Sequence, residues 1–223
     1  MDRAQAMAGP EGYKIFRCSS ENDVLECASI VKDGGIVVYP TDTVYGIGCD
    51  PYNEKAVTKI FEIKSRNEKI PLPILSSSVE YVQDLVSLGK TGKLLAGIFW
   101  PGALTIVSPL TDKRISPKVN AGTKSIAVRI PNNVCATLLL KHCKYLVGTS
   151  ANISGKKPCK STLDVIFSHL SGFDAIMDGG TIKGGVESTI VELASSTPKI
   201  IREGAIKPEE IFRVLGRKVS HAN

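Results

Sequence analysis

The chain is poor in the residues that usually perform covalent and metal chemistry. Its 223 residues include three histidines (His142, His169 and His221) and one tryptophan (Trp100). Six cysteines, Cys18, Cys27, Cys49, Cys135, Cys143 and Cys159, are scattered without a C-x-x-C pair. So few partners at such spacings argue against a zinc site, so no metal ligand is assigned and reduced thiols in a cytosolic compartment are expected. No histidine stands beside a cysteine or carboxylate, which argues against a histidine-based nucleophile system. The N-terminal MDRAQAMAGPEG has no apolar core, and no run approaches the length of a membrane span, so a cytoplasmic, non-membrane protein is the expectation. The common nucleotide signatures are missing too: GKTGK at 89–93 is too short for a Walker A loop, and no strand is followed by G-x-G-x-x-G.

What is present is an ordinary folding composition, 43% apolar and 22% charged, with a formal net charge of +6. That excess fits anionic partners such as nucleotides or RNA, and equally a lysine-rich soluble surface. Strand-like and helix-like segments alternate without a linker or repeat, so one α/β domain is expected over residues 14–215. Residues 1–13 read as a flexible tail and 216–223 as a short C-terminal one. DVLECASIVKDGG, NEKAVTKIFEIK with Asn53 as N-cap, SSSVEYVQDLVSL with Ser78 as N-cap, TGKLLAGIFW, NNVCATLLLKH, STLDVIFSHL and PEEIFRVLG read as helices. IVVY, PLPIL, ALTIVSPL, SIAVRIP, YLVGTS, FDAIMD, STIVEL and KIIRE read as strands. Consecutive strands around 103–130 and 173–202 imply antiparallel pairs, so the fold expected is a twisted, mixed parallel and antiparallel sheet with helices packed on it.

Polar residues concentrate where strands end. Pro40 cannot donate to an interior ladder, so IVVY stops there and the chain leaves the sheet, delivering Thr41, Asp42, Thr43 and Tyr45 to the kind of exit where α/β folds bind ligands. In SIAVRIP, alternation puts Ser125, Ala127 and Arg129 on one face, and leaves open whether Arg129 aims at a ligand or at water. In KSR, Lys64 and Arg66 are two residues apart and meet one ligand only if the helix stops at Lys64; otherwise they are a charged helix end. Ser150, Asn152 and Ser188 sit in turns where hydroxyls and amides bond either their own backbone or phosphate oxygens.

Taken in order, PTDTVYG, IFEIKSR, FWPGALTIV, AVRIP, TSANISG, MDGG, VESTIVEL and IIREG closely resemble the YrdC-like family of threonylcarbamoyl-AMP synthases, over residues 14–215. The resemblance implies a YrdC-like fold and a nucleotidyltransferase that makes threonylcarbamoyl-AMP and pyrophosphate from L-threonine, bicarbonate and ATP. The product would feed a downstream tRNA threonylcarbamoyl-transfer complex. By motif, Thr43, Arg129, Gly148 and Ser188 would hold threonine; Lys64, Arg66, Ser125, Ser150, Asn152 and Arg202 would hold the nucleotide. Lys64 and Arg66 would be the catalytic pair, with Mg²⁺ on the phosphates. Three positions depart from the pattern: Ile70 and Leu75 replace an Asn and a His, and Cys159 replaces a serine. The competing readings are a double-stranded RNA-binding module without synthase activity, and the carbamoyl-transfer domain of hydrogenase maturation proteins.

Overall fold

The computed structural model describes residues 7–8, 12–195 and 197–216. In chain order the elements are β1 (Met7–Ala8), β2 (Lys14–Arg17), α1 (Glu21–Lys32), β3 (Val37–Pro40), β4 (Tyr45–Gly48), α2 (Glu54–Ile63), β5 (Ile74–Ser76), α3 (Val79–Leu85), α4 (Gly89–Phe99) and β6 (Leu104–Pro109). There follow β7 (Ser125–Arg129), α5 (Val134–Cys143), β8 (Tyr145–Val147), β9 (Thr149–Ser150), α6 (Thr162–Phe167), β10 (Ala175–Asp178), β11 (Thr189–Glu192), β12 (Lys199–Arg202) and α7 (Pro208–Leu215).

The helices begin where polar side chains take up orphan N–H groups. Asn53 Oδ1 accepts from Ala56 N at 3.1 Å and Ser78 Oγ from Tyr81 N at 3.3 Å, as their positions before amphipathic runs predict. α7 starts on Pro208, whose missing N–H is no loss in a first turn. Each strand pairs in one of two mixed six-stranded sheets, ordered β1-β2-β10-β3-β4-β9 and β12-β11-β6-β7-β5-β8. A single sheet is the sequence expectation, and it is corrected by Gly148. YLVGTS is not one strand: β8 pairs with β5 in the second sheet, and after Gly148 the chain enters the first as β9 beside β4. The chain also does not leave the sheet after Pro40, as expected, but doubles back as β4, antiparallel to β3.

β3 lies between parallel β10 and antiparallel β4 and is buried on both faces, which is why IVVY is apolar without alternation. Its Val38 joins the larger core with Ile47, Ile60, Ile74 and Ile106, and its Val37 and Tyr39 face α1 and α5 through Val24, Ala28, Val31 and Leu139. Burying a side chain such as Ile60 or Val31 stabilises the fold by about 1.5–3 kcal/mol before entropy is counted.

Two further expectations change. Met7 and Ala8, placed in a loose tail, pair antiparallel with Ile15 and Lys14. Six free thiols were expected, but Cys18 and Cys135 form a disulfide, their Cα atoms 5.2 Å apart across 117 residues. Helix α1 packs on α5, which brings the end of β2 to the first turn of α5, a proximity no spacing in the chain reveals. Cys27, Cys49, Cys143 and Cys159 are free. Among the described residues no helix is long and apolar enough to cross a membrane.

The sheets meet at Gly48, where an added Cβ would lie 1.9 Å from the Val147 carbonyl oxygen. Val147 N also donates to Cys49 O at 2.9 Å, so the two backbones cannot separate without losing that bond. Gly48→Ala is expected to destabilise the protein by about 1–3 kcal/mol in urea unfolding. Gly97→Ala, on an open face of α4, is expected to be neutral or to stabilise by up to about 1 kcal/mol. Equal midpoints for the two variants would show that the sheet junction is not tightly packed.

Candidate active site

A cavity of about 700 Å³ opens where the two sheets exchange strands. The turn after Pro40 forms one wall. Thr41 Oγ1 donates to Val44 O at 2.7 Å and accepts from the backbone N–H groups of Thr43 and Val44, each at 3.2 Å. One buried hydroxyl therefore folds the PTDT turn and points Thr43 into the cavity. Thr43 Oγ1 lies 3.0 Å from Thr41 Oγ1 and accepts from Arg129 Nη1, also at 3.0 Å.

Arg129, which alternation left open, faces the cavity from the end of β7 and is only 5% exposed. Its Nε donates to Gly102 O at 2.9 Å and its Nη2 to Asp42 Oδ1 at 2.7 Å. Burial pulls the guanidinium below the usual arginine range, and Asp42 opposes that shift. Three of its five N–H groups are engaged in this way, leaving one on each terminal nitrogen.

The KSR segment turns as the two-charge reading requires. α2 ends at Ile63, Lys64 is its C-cap, and Ser65 takes a positive φ of 47°. Lys64 and Arg66 then both line the cavity. Lys64 is 1% exposed; its Nζ donates to the carbonyls of Ser150 and, at 2.6 Å, Asn152. Burial, then the nearby Arg66 charge, lowers its pKa to about 8. Arg66 is lowered too, by burial first, and donates from Nη2 to Pro71 O at 3.1 Å.

Arg202 supplies another cation at the far wall, its Nη1 2.7 Å from Glu187 Oε2 and its Nη2 donating to Ser188 O at 2.9 Å. Ser188 Oγ also accepts from Arg202 Nη2, at 3.2 Å, and lies 2.8 Å from Thr105 Oγ1. Asn152 folds the SANISG loop, donating from Nδ2 to Ile153 O at 3.0 Å and Lys156 O at 2.6 Å, while its buried Oδ1 has no partner among the described residues.

Of the residues assigned from sequence, Thr43, Lys64, Arg66, Arg129, Gly148, Ser150, Asn152, Ser188 and Arg202 line this one cavity. Ser125 does not; it lies at the outer start of β7, on the same face as Ala127 and Arg129 but two residues beyond the lined wall. The departures have structural counterparts. Ile70 and Leu75 line the cavity, so that wall is apolar, and the Leu75 side chain fills the space a Cβ on Gly148 would need. Cys159 is buried outside the lining, and burial raises its thiol above the usual range. Sequence reasoning missed Tyr39, Thr105, Lys156 and Glu187 as lining residues, and the tie from Asp42 to Arg129. Thr105 and Glu187 were legible as polar residues beside strand ends, in ALTIV and VEST; nothing marked the buried tyrosine. Among the described residues no cluster of three or more His, Cys, Asp or Glu is placed to hold a metal.

The family model for Sua5, YciO and YrdC proteins, described as "Telomere recombination", matches residues 29–204. The chain belongs to this family. Threonylcarbamoyl-AMP synthase of Bacillus subtilis is 36% identical over 88% of the chain. The structure of Sua5 from Pyrococcus abyssi complexed with L-threonine superposes with a TM-score of 0.86 at 34% identity, over 91% of the chain. Escherichia coli YciO shares the fold, with a TM-score of 0.78 at 22% identity over 89% of this chain and 99% of its own. The chain spans 58% of the Bacillus protein's length and 60% of the Pyrococcus structure.

The cavity thus gathers several cations, of which Lys64 and Arg129 are buried, and Lys64 gives it a pH signature. A lysine that titrates near 8 when folded and near 10.5 when unfolded binds fewer protons in the fold between those values, so stability rises with pH across that window. Polyanion binding runs the other way, because the neutral amine above about 8 attracts no phosphate. Calorimetric affinity for inorganic pyrophosphate is expected to fall between pH 7 and 9 in the wild type and to fall less in Lys64→Met. Parallel pH profiles would remove Lys64 from the anion site.

Proposed function

We propose that this chain is a threonylcarbamoyl-AMP synthase, a nucleotidyltransferase that condenses L-threonine, bicarbonate and ATP and releases pyrophosphate. The observation that carries the reading is the meeting, in one cavity, of a carboxylate clamp at Arg129 and Thr43 with the cations Lys64, Arg66 and Arg202. The threonine complex of the related Sua5 supports it.

In this reading the amine of threonine and bicarbonate condense to a carbamate with loss of water. A carbamate oxygen attacks the α-phosphorus of ATP, and the bond to the β-phosphate oxygen breaks to free pyrophosphate. The nucleophile is already an anion, so the protein's tasks are to bring two anions together and to stabilise the charge that spreads over the phosphoryl oxygens. Arg129 offers its two unengaged N–H groups to the threonine carboxylate, a paired geometry that suits guanidinium. Thr43 and Ser188, with the Gly148 backbone, bracket the amino acid. Lys64 and Arg66 meet the phosphates, and Ser150, Asn152 and Arg202 the nucleotide. Magnesium enters as substrate with ATP: Glu187, the carboxylate lining the cavity, is paired with Arg202, and Mg²⁺ commonly rides on substrate phosphates with few protein ligands. The product would pass to a tRNA threonylcarbamoyl-transfer complex in the cytoplasm.

The RNA-binding alternative needs exposed basic groups that a phosphate backbone reaches. Lys64 and Arg129 are buried, which favours small substrates. The deciding experiment is pyrophosphate release with threonine, bicarbonate or ATP omitted in turn. Dependence on all three is expected, and release that ignores threonine would refute the reading. Lys64→Ala and Arg66→Ala are each expected to cut turnover roughly ten- to a thousandfold, and unchanged release in both would exclude them as the phosphate pair.

A further inference from the structure

Asp42 stands behind the carboxylate clamp and not in it. It is outside the residues that line the cavity, yet its Oδ1 accepts from Arg129 Nη2 at 2.7 Å and from the backbone N–H of Asn132 at 3.0 Å. Asn132 immediately precedes Asn133, the N-cap of α5, so the carboxylate is itself held by the start of a helix packed on strands of both sheets. Thr43 Oγ1 and Asp42 Oδ1, from the PTDT turn, and Gly102 O, from the segment before β6, together fix the plane of the guanidinium.

The arrangement has a consequence for which anions Arg129 accepts. A buried guanidinium without a counterion attracts any small anion, and the proposed reaction releases pyrophosphate beside the threonine carboxylate. The ion pair with Asp42 meets the charge from behind. Two N–H groups of this cavity-lining guanidinium are left unengaged, and they suit a flat carboxylate accepting both better than spherical chloride or tetrahedral phosphate. We propose that Asp42 is the positioning residue that makes Arg129 selective for an amino-acid carboxylate over spherical or tetrahedral anions such as chloride and phosphate. The proposal rests on the synthase reading and adds to it the origin of selectivity.

Asp42→Asn keeps an acceptor for Arg129 and Asn132 and removes the charge; Asp42→Glu keeps the charge on a longer arm. With pyrophosphate release as the readout, Asp42→Asn is expected to raise the KM for threonine by about tenfold while kcat at saturating threonine changes by less than about threefold. Chloride and phosphate become competitive with threonine in this variant. Asp42→Glu is expected to raise the KM without gaining that inhibition. A merely structural role would lower kcat in both variants and create no competition between threonine and chloride. Asp42→Asn that responds to chloride as the wild type does would overturn the proposal. Should Asp42→Asn fail to fold, Asp42→Glu decides, and an unchanged KM there overturns it as well. Wild-type protein whose pyrophosphate release ignores threonine sinks the synthase reading instead, so the two failures are distinct.

Discussion

Everything about the site follows from one constraint: cations placed inside a protein must be given back the hydrogen bonds that water supplied. Lys64 and Arg129 are almost wholly buried, and an unpaired charge at such depth costs several kcal/mol. Each is met by backbone oxygens or counterions from distant parts of the chain. Lys64 binds the carbonyls of Ser150 and Asn152, 86 and 88 residues away, and Arg129 binds Asp42, Thr43 and Gly102. Such charge-assisted bonds contribute about 1.5–3 kcal/mol each once formed. The cavity therefore exists only when both sheets are assembled, and in return its few charges act in a medium that screens them weakly.

The acceptors are available because the backbone is irregular where the two sheets meet. At Gly148 the chain passes from one sheet to the other, and the next four residues present the Ser150 and Asn152 carbonyls to Lys64. At Ser65 a left-handed residue turns the end of α2 so that Lys64 and Arg66 share a cavity. At Thr41 one hydroxyl replaces several backbone partners and lets β3 reverse into β4 within a few residues. Regular helices and strands supply the frame, and these three breaks supply the chemistry.

That division also explains what was legible in the sequence. Local signals work over a few residues, so Asn53 and Ser78 were readable as caps, while KSR stayed open between a helix stop and a charged helix end until α2 was seen to end at Ile63. The alternation of SIAVRIP put Arg129 on the face opposite Ile126 and Val128, but periodicity could not say whether that face met solvent or a cavity; packing beside Gly102 and Asp42 decided it. The second sheet, with pairings such as Leu104 with Thr189, the Cys18–Cys135 pair and the Asp42–Arg129 ion pair depend on contacts between residues far apart in the chain, which local patterns do not encode. Ser125 shows the limit of motif transfer: it shares a face with Arg129, yet four residues of strand, about 13 Å, carry it beyond the lined wall.

The charges are not equivalent once their partners are counted. Arg129 has Asp42 and Arg202 has Glu187 as built-in counterions, each pair at 2.7 Å. Among the described residues, Lys64 and Arg66 instead hold carbonyl dipoles, with Glu187 acting on both from further off. Uncompensated positive charge is therefore concentrated at the end of α2, and a polyanion gains most by placing its phosphates there. A single carboxylate gains comparatively more from the directed N–H groups of the neutralised Arg129. The same imbalance would orient the proposed reactants, with the amino acid at the PTDT turn, the triphosphate at KSR, and the carbamate held between them on the path to the α-phosphorus.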